Sequence, residues 1–503
     1  MSLSRVVPQL LASLALTSAV ACIHVQQPSV YEPHEIVSLD TFRAPLRVHM
    51  KSGIVYQLTQ WNYVADDSVL QARGTLYDID RTPVSDGEFR IPLDSVALVQ
   101  TERTKQLHPF GMIGLATMSV IWGSLTVACT ADPKSCFGSC PTFYVDSVSR
   151  DRPLAEGFSA SFARALEATD VDALGLVRPA GSNVTIRMAN EAWETHAVGS
   201  VELLAVPARQ ANEVFATAQG QFYGVTHLES PARCAGQAGD CRRALGAQDS
   251  LTWHSVTDST DLAAQETIDL AFALPHTGAR VGLALAARQS FVSTFVLYQT
   301  MAYFGDETGT WLAALERGDS LALRAHRQVW GTIGKITVAV FDSIAGWRET
   351  GTFEEAGPIA TDVQLIPLGS VAGDTVRIRL TMARGSWRIG YAALATLGAE
   401  REAIRLEPVE LAPRTGKYLI TYPGDEYRFT FALPRGAQSY ALYIKSRGYY
   451  YEWMRGEWLA EQNRRMMALF AIDPRAALQV LAPSFKAREQ AFEQNFWASR
   501  FGR

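Results

Sequence analysis

Val184-Thr185-Ile186-Arg187-Met188 puts an apolar side chain at every second position, and Val376-Arg377-Ile378-Arg379-Leu380 repeats the pattern 192 residues later (376 against 184). Period-two alternation is the mark of a half-buried strand. At the same offset Thr169-Asp170-Val171 returns as Thr361-Asp362-Val363. A third anchor, Phe272-Ala273-Leu274-Pro275, returns as Phe431-Ala432-Leu433-Pro434, now 159 residues on (431 against 272). Each closes an alternating stretch, Ile268 to Leu274 and Tyr427 to Leu433, and thirteen residues past each Pro stands an arginine, Arg288 and Arg447. Three anchors in one order read as one β-rich unit written twice. The shorter offset leaves 33 extra residues in the first copy, near Cys234 and Cys241.

The expected fold class is α+β, mainly β. Copy one covers residues 136–320 and copy two 321–455, each with a helix docked after its arginine, followed by a helical tail over 456–503. In that tail Asp473-Pro474 is an N-cap followed by Pro at the first helical position. Upstream, residues 44–105 contain four or five short alternating segments, with a turn at Gly53. In pattern they resemble the SH3-like or Sm-like barrels of bacterial envelope lipoproteins. At roughly 150 residues per domain, 503 residues suit such a multi-part plan. Charged residues are 19% and the net charge is −5, a balance that argues against a nucleic-acid binder.

The N-terminus carries an address. Residues 1–21 run from a single Arg5 through an uncharged stretch, Val6 to Ala21, to a small-residue exit, as in an export signal. The exit Ala19-Val20-Ala21-Cys22 suits ordinary cleavage and also resembles the lipobox of bacterial lipoproteins, departing from it at Ala19. That resemblance implies acylation of Cys22 and a membrane anchor, with residues 22–43 as a polar tether. A second apolar run, residues 109–131, has no charge and is long enough to cross a bilayer. Arg103 and Lys105 before it would put that side in the cytoplasm, opposite to what a cleaved signal requires. A true span and a membrane-associated or protein-buried helix both stay open for residues 106–135.

Cys136 with Cys140, and Cys234 with Cys241, are pairs across short loops, which in an exported chain read first as disulfides. Free thiols and a zinc site are the alternatives, and neither spacing is a Cys-x-x-Cys knuckle. No cofactor is implied. There is no Gly-x-Ser-x-Gly, His-Glu-x-x-His, P-loop or Gly-x-Gly-x-x-Gly.

Two stretches are candidates for a ligand site. In Asn190-Glu191-Ala192-Trp193-Glu194-Thr195-His196, a strand would put Glu194 and His196 on one face, with Glu191 nearby, as acid–base groups or ligands. In Arg447-Gly448-Tyr449-Tyr450-Tyr451-Glu452-Trp453, aromatic rings beside Arg and Glu suit a polar ligand, or equally the docking of a helix on a sheet. Residues 136–503 resemble a group of bacterial envelope proteins sharing three segments. These are Ser-Cys-Phe-Gly-Ser-Cys-Pro-Thr-Phe-Tyr (Ser135 to Tyr144), Asn-Glu-x-x-Glu-Thr-His, and Arg-Gly-Tyr-Tyr-x-Glu-Trp. The resemblance implies the address and the modular plan, with no activity attached. The expected function is therefore a lipid-anchored envelope protein that binds or scaffolds an envelope protein, glycan or lipid without catalysis. An exported glycan hydrolase using Glu191 and Glu194, and a membrane-complex subunit held through 109–131, are the alternatives.

Overall fold

The computed structural model describes residues 24–31, 46–106, 140–145, 152–177, 183–210, 213–409, 418–437, 439–452 and 461–492, with short gaps inside these ranges, and positions 33, 36 and 39. Residues 1–21, Cys22, Cys129, Cys136, Trp453 and the run 109–131 lie outside the described residues. Among the described residues no helix is long and apolar enough to cross a membrane.

The first sheet holds β1 (His24–Tyr31), β2 (Leu46–Met50), β3 (Val55–Val64), β4 (Val69–Tyr77), β5 (Pro83–Pro92) and β6 (Val96–Gln106) in the order β1-β6-β2-β3-β4-β5. It is a half-barrel closed over Leu46, Val48, Leu58, Leu70, Ile91 and Val99. β2 and β3 pair antiparallel, as the alternation requires, and Gly53 lies outside the described residues. The segment read as a tether departs from expectation: His24–Tyr31 pairs along its length with β6.

The strands that follow are β7 (Thr142–Val145), β8 (Ala155–Glu156), β9 (Ala168–Val177), β10 (Asn183–Ala189) and β11 (Glu194–Pro207). Next come β12 (Val214–Ala216), β13 (Phe222–Glu229), β14 (Arg233–Gly236), β15 (Gly239–Asp240), β16 (Gln265–Ala273) and β17 (Arg280–Gln289). The last are β18 (Ile336–Asp342), β19 (Gly346–Phe353), β20 (Asp362–Ser370), β21 (Thr375–Ala383), β22 (Trp387–Arg401), β23 (Ile404–Leu406), β24 (Leu419–Thr421), β25 (Glu426–Ala432) and β26 (Tyr440–Glu452). Helices are α1 (Arg242–Leu245), α2 (Val292–Phe304), α3 (Thr308–Glu316), α4 (Ser320–Ile333), α5 (Arg464–Ile472) and α6 (Pro474–Lys486).

These strands build two sandwiches. In the first, sheet β25-β10-β7-β8 faces sheet β23-β11-β26-β9, to which β24 adds beside β11. Phe143, Ile186, Phe431, Leu203, Leu442 and Ile444 fill the space between. In the second, sheet β15-β14-β16-β21-β18-β19 faces sheet β12-β13-β22-β17-β20 over Phe272, Leu283, Ile378, Leu380 and Trp387. Helices α2 to α6 pack on the first sandwich, where Phe295, Trp311, Ile333, Phe470 and Phe485 share its apolar cluster, while the short α1 packs through Leu245 on the second.

The sheets do not divide at residue 320. Val184 on β10 lies opposite Phe431 on β25, and its counterpart Val376 on β21 lies opposite Phe272 on β16. β9 and β11 flank β26, as β20 and β22 flank β17. Asp170 faces Ser446, and at the same two offsets Asp362 faces Ala287. Where two repeated strands pair, each thus takes its partner from the other stretch of chain, in the same register. As a result the second sandwich is continuous from β12 to β22, and the first is assembled from the segments on either side of it.

Two local readings fare differently. Asp473 caps α6, its carboxylate accepting from the Ala476 amide at 3.0 Å with Pro474 at the first position. The segment after Arg288 is helical, as expected. The segment after Arg447 is not, since β26 runs on to Glu452. Its three tyrosines are buried on both faces of a strand covered on both sides, so no period-two pattern shows in the letters.

Cys234 and Cys241 are disulfide-bonded across the β14–β15 hairpin, seven residues apart. Closing so short a loop stabilises by about 2 kcal/mol through the unfolded chain. Cys234→Ser with Cys241→Ser should lower stability by about that amount in urea titration.

Candidate functional site

The three segments that carry the resemblance, far apart in sequence, meet at one end of the first sandwich. β11 and β26 pair so that Glu194 lies opposite Glu452 and His196 opposite Tyr450. The alternation of β11 turns Glu194 and His196 to the same side, as expected. His196 Nε2 and Glu194 Oε1 are 2.7 Å apart, and both side chains are 0% exposed. Burial drives the imidazole pKa down to about 3, only partly countered by Asp425, so His196 is neutral. Asn190 ties the entry of β11 in place, its amide donating to the Glu194 carbonyl at 3.0 Å and to Thr421.

From the first segment, Thr142 Oγ1 and Tyr144 OH each donate to Glu191, at 2.7 and 2.8 Å, while the Arg187 guanidinium lies 3.9 Å over the Tyr144 ring. Glu191 is thereby a half-buried anchor joining β7 to the β10–β11 turn. Cys140, expected in a disulfide, is instead a free buried thiol. Its φ of 80° lies in the left-handed region, which costs a non-glycine residue about 1 kcal/mol or more. It donates to Glu156 Oε1 at 3.6 Å. Desolvation, then the Glu156 and Glu194 charges, push its pKa well above the ordinary thiol range, so it is neither a thiolate nucleophile nor a ready metal ligand.

Glu156 reaches between the two sandwiches. Its Oε2 accepts from the amides of Ile359 and Ala360, at 2.7 and 2.6 Å, in the loop before β20. Gly357 is required there, because a Cβ would fall 2.5 Å from that oxygen. Glu156→Ala should cost about 3 kcal/mol, since it strands two buried amides. The check is the shift of the urea midpoint.

The tyrosines of the third segment are packing groups. Tyr449 and Tyr451 meet edge to face at 5.3 Å, and Tyr450 OH donates to the Ser159 carbonyl at 3.1 Å. Arg447 is exposed and pairs with Glu167 at 3.1 Å, whose other oxygen accepts from Tyr418. Asp170, Asp172 and Glu452 are buried on the same sheet face as Glu194. In the second sandwich that face keeps buried Asp362 and Gln364 at the places of Asp170 and Asp172, but carries Leu285, Ala287, Ile389 and the fully buried Trp387 beside them. Among the described residues no group of three or more His, Cys, Asp or Glu is arranged to hold a metal ion. The arrangement is an enclosed polar clamp holding strand ends and loops.

An exposed constellation escaped the sequence reading. On the outer face of sheet β15-β14-β16-β21-β18-β19, Arg379 forks onto Asp269 at 2.7 and 2.9 Å and lies 4.2 Å over the Trp347 ring. Arg377 lies 4.2 Å over Phe341, which meets Trp347 edge to face at 5.3 Å. Beside them runs a row of threonines, with Thr267 opposite Thr381, Thr381 opposite Thr337, and Thr337 opposite Thr352. The signal was present in Val376 to Leu380, whose polar half, Arg377 and Arg379, reads as an ordinary solvated face. The chain matches no family model and no curated protein.

Proposed function

We propose that the chain is an exported envelope protein, lipid-anchored at Cys22, acting as a non-catalytic binding or scaffolding module. The observation that carries this reading is a contrast of exposure. Glu194 and His196, the groups best suited to acid–base work, are closed off from solvent. A catalytic acid or base has to reach the proton it transfers. The Arg377 and Trp347 face, by contrast, is open to a partner. Arg5, the uncharged stretch Val6 to Ala21 and the Ala-Val-Ala-Cys exit support the address.

Intact mass of the mature protein from envelope membranes tests it. The expected species begins at Cys22, carries added acyl chains, and gains two hydrogens on reduction of the Cys234–Cys241 bond. A mature chain retaining residues 1–21 would overturn the export reading, and an unacylated chain the anchor.

A further inference from the structure

We infer that the outer face of the second sandwich binds an acidic polysaccharide, whose carboxylate or phosphate groups sit between Arg233 and Arg377. This rests on the reading of the chain as a binding module and names the ligand of its exposed face.

One row across the sheet carries the argument. Arg233 lies opposite Ala271, and Ala271 opposite Arg377, so two arginines flank a methyl floor. Two strand spacings hold their backbones about 10 Å apart, within side-chain reach of one anion between them. Both are exposed, and neither forms an ion pair among the described residues. Asp269, in the adjacent row of the face, does not neutralise them, because both its oxygens accept from Arg379. Arg377 is also held in place. It stacks 4.2 Å over Phe341 and 5.5 Å from the Trp347 ring centre, which leaves the edge of its fork for a bidentate acceptor.

The rest of the face suits a sugar polymer better than a protein partner. Two rows away, the four threonine hydroxyls of Thr267, Thr381, Thr337 and Thr352 recur at the strand spacing of about 4.8 Å. Hydroxyls on a flat lattice exchange hydrogen bonds with the hydroxyls of an extended chain lying across the strands. The apolar groups of this face are already covered, Phe341 by Arg377 and Trp347 by Arg379, and the row between carries Asp269, Arg379, Ala339 and Glu349.

The test is affinity electrophoresis of the full mature chain in gels containing polygalacturonate, with neutral dextran and phosphatidylglycerol vesicles as parallel probes. Polygalacturonate should retard the protein, less so at high salt, and dextran should not. Arg233→Ala with Arg377→Ala should weaken retardation at least ten-fold. Arg377→Lys should fall between, and Arg90→Ala on the half-barrel should behave as wild type. Unchanged retardation in the double variant, or equal retardation by dextran, overturns the site. Binding to vesicles alone would assign the anion to lipid and likewise overturn it. Co-sedimentation with isolated envelopes of the mature chain carrying Cys22→Ala, which has no acyl anchor, distinguishes this site from the binding-module reading. If polygalacturonate fails while the Cys22→Ala chain still co-sediments with envelopes, the site falls and the binding-module reading stands. Depolymerisation of the polygalacturonate would overturn the non-catalytic reading while leaving the site intact.

Discussion

A fragment limited to residues 136–320 is expected not to fold, although it spans one whole copy of the repeated pattern. It would contain β9, β10 and β11 without β25 and β26, and β16 and β17 without β20, β21 and β22. Phe272, Val184, Ile186 and Leu283 would lose the strands that cover them. Each such side chain contributes about 1.5–3 kcal/mol by burial, so losing four or more removes most of the stability of an ordinary domain, roughly 5–15 kcal/mol. Residues 213–409, by contrast, include every strand of the second sandwich and both its facing sheets. That fragment should keep slowly exchanging amides in β16, β17, β21 and β22, with its helices loosened, because α2 to α4 pack against the first sandwich. Hydrogen exchange with mass spectrometry reads both outcomes. A protected 136–320 fragment, or an unprotected 213–409 fragment, would contradict the pairing.

The same pairing shows how much was legible beforehand. Strand identity and inward-facing residues followed from alternation: Val184, Ile186, Met188, Val376, Ile378 and Leu380 all point into cores. The choice of partner did not follow, for a physical reason. Val184 meets Phe431 in the register in which Val376 meets Phe272, so pairing within a copy and pairing between copies satisfy one hydrophobic pattern. Only chain connectivity tells them apart, and the letters of two similar copies do not encode it. At the candidate site, a strand was enough to foresee that Glu194 and His196 share a face. Their enclosure depends on Cys140, Glu156 and Tyr450 arriving from distant segments, which no local window contains. Cys140 illustrates the limit. Spacing to Cys136 suggested a disulfide, whereas the carboxylates around the thiol give it another role.

Acidification from pH 7 to 5 is expected to destabilise the protein chiefly through the buried His196 and the half-buried His326. His196 titrates at about 3 and His326 at about 4 when folded, both displaced downward first by burial, against about 6.5 in the unfolded chain. The unfolded state therefore binds more protons between pH 6.5 and these values, and stability falls as pH falls through that window. Each histidine accounts for a loss on the order of 2 kcal/mol between pH 7 and 5. Asp362 acts in the opposite sense. Burial raises its folded pKa to about 6 from 3.8, so its stabilising contribution is complete below 3.8 and is lost as pH rises through 6. It returns about 1 kcal/mol on acidification, leaving a net loss of roughly 2–3 kcal/mol from the three groups. The signs make the groups separable by urea titration at the two pH values. His196→Gln, whose amide can still donate to Glu194, should reduce the acid loss by about 2 kcal/mol, and His326→Gln by a similar amount. Asp362→Asn should enlarge it by about 1 kcal/mol. If His196→Gln leaves the difference between pH 7 and 5 unchanged, the imidazole is not the enclosed neutral group that the Glu194 contact and its burial describe.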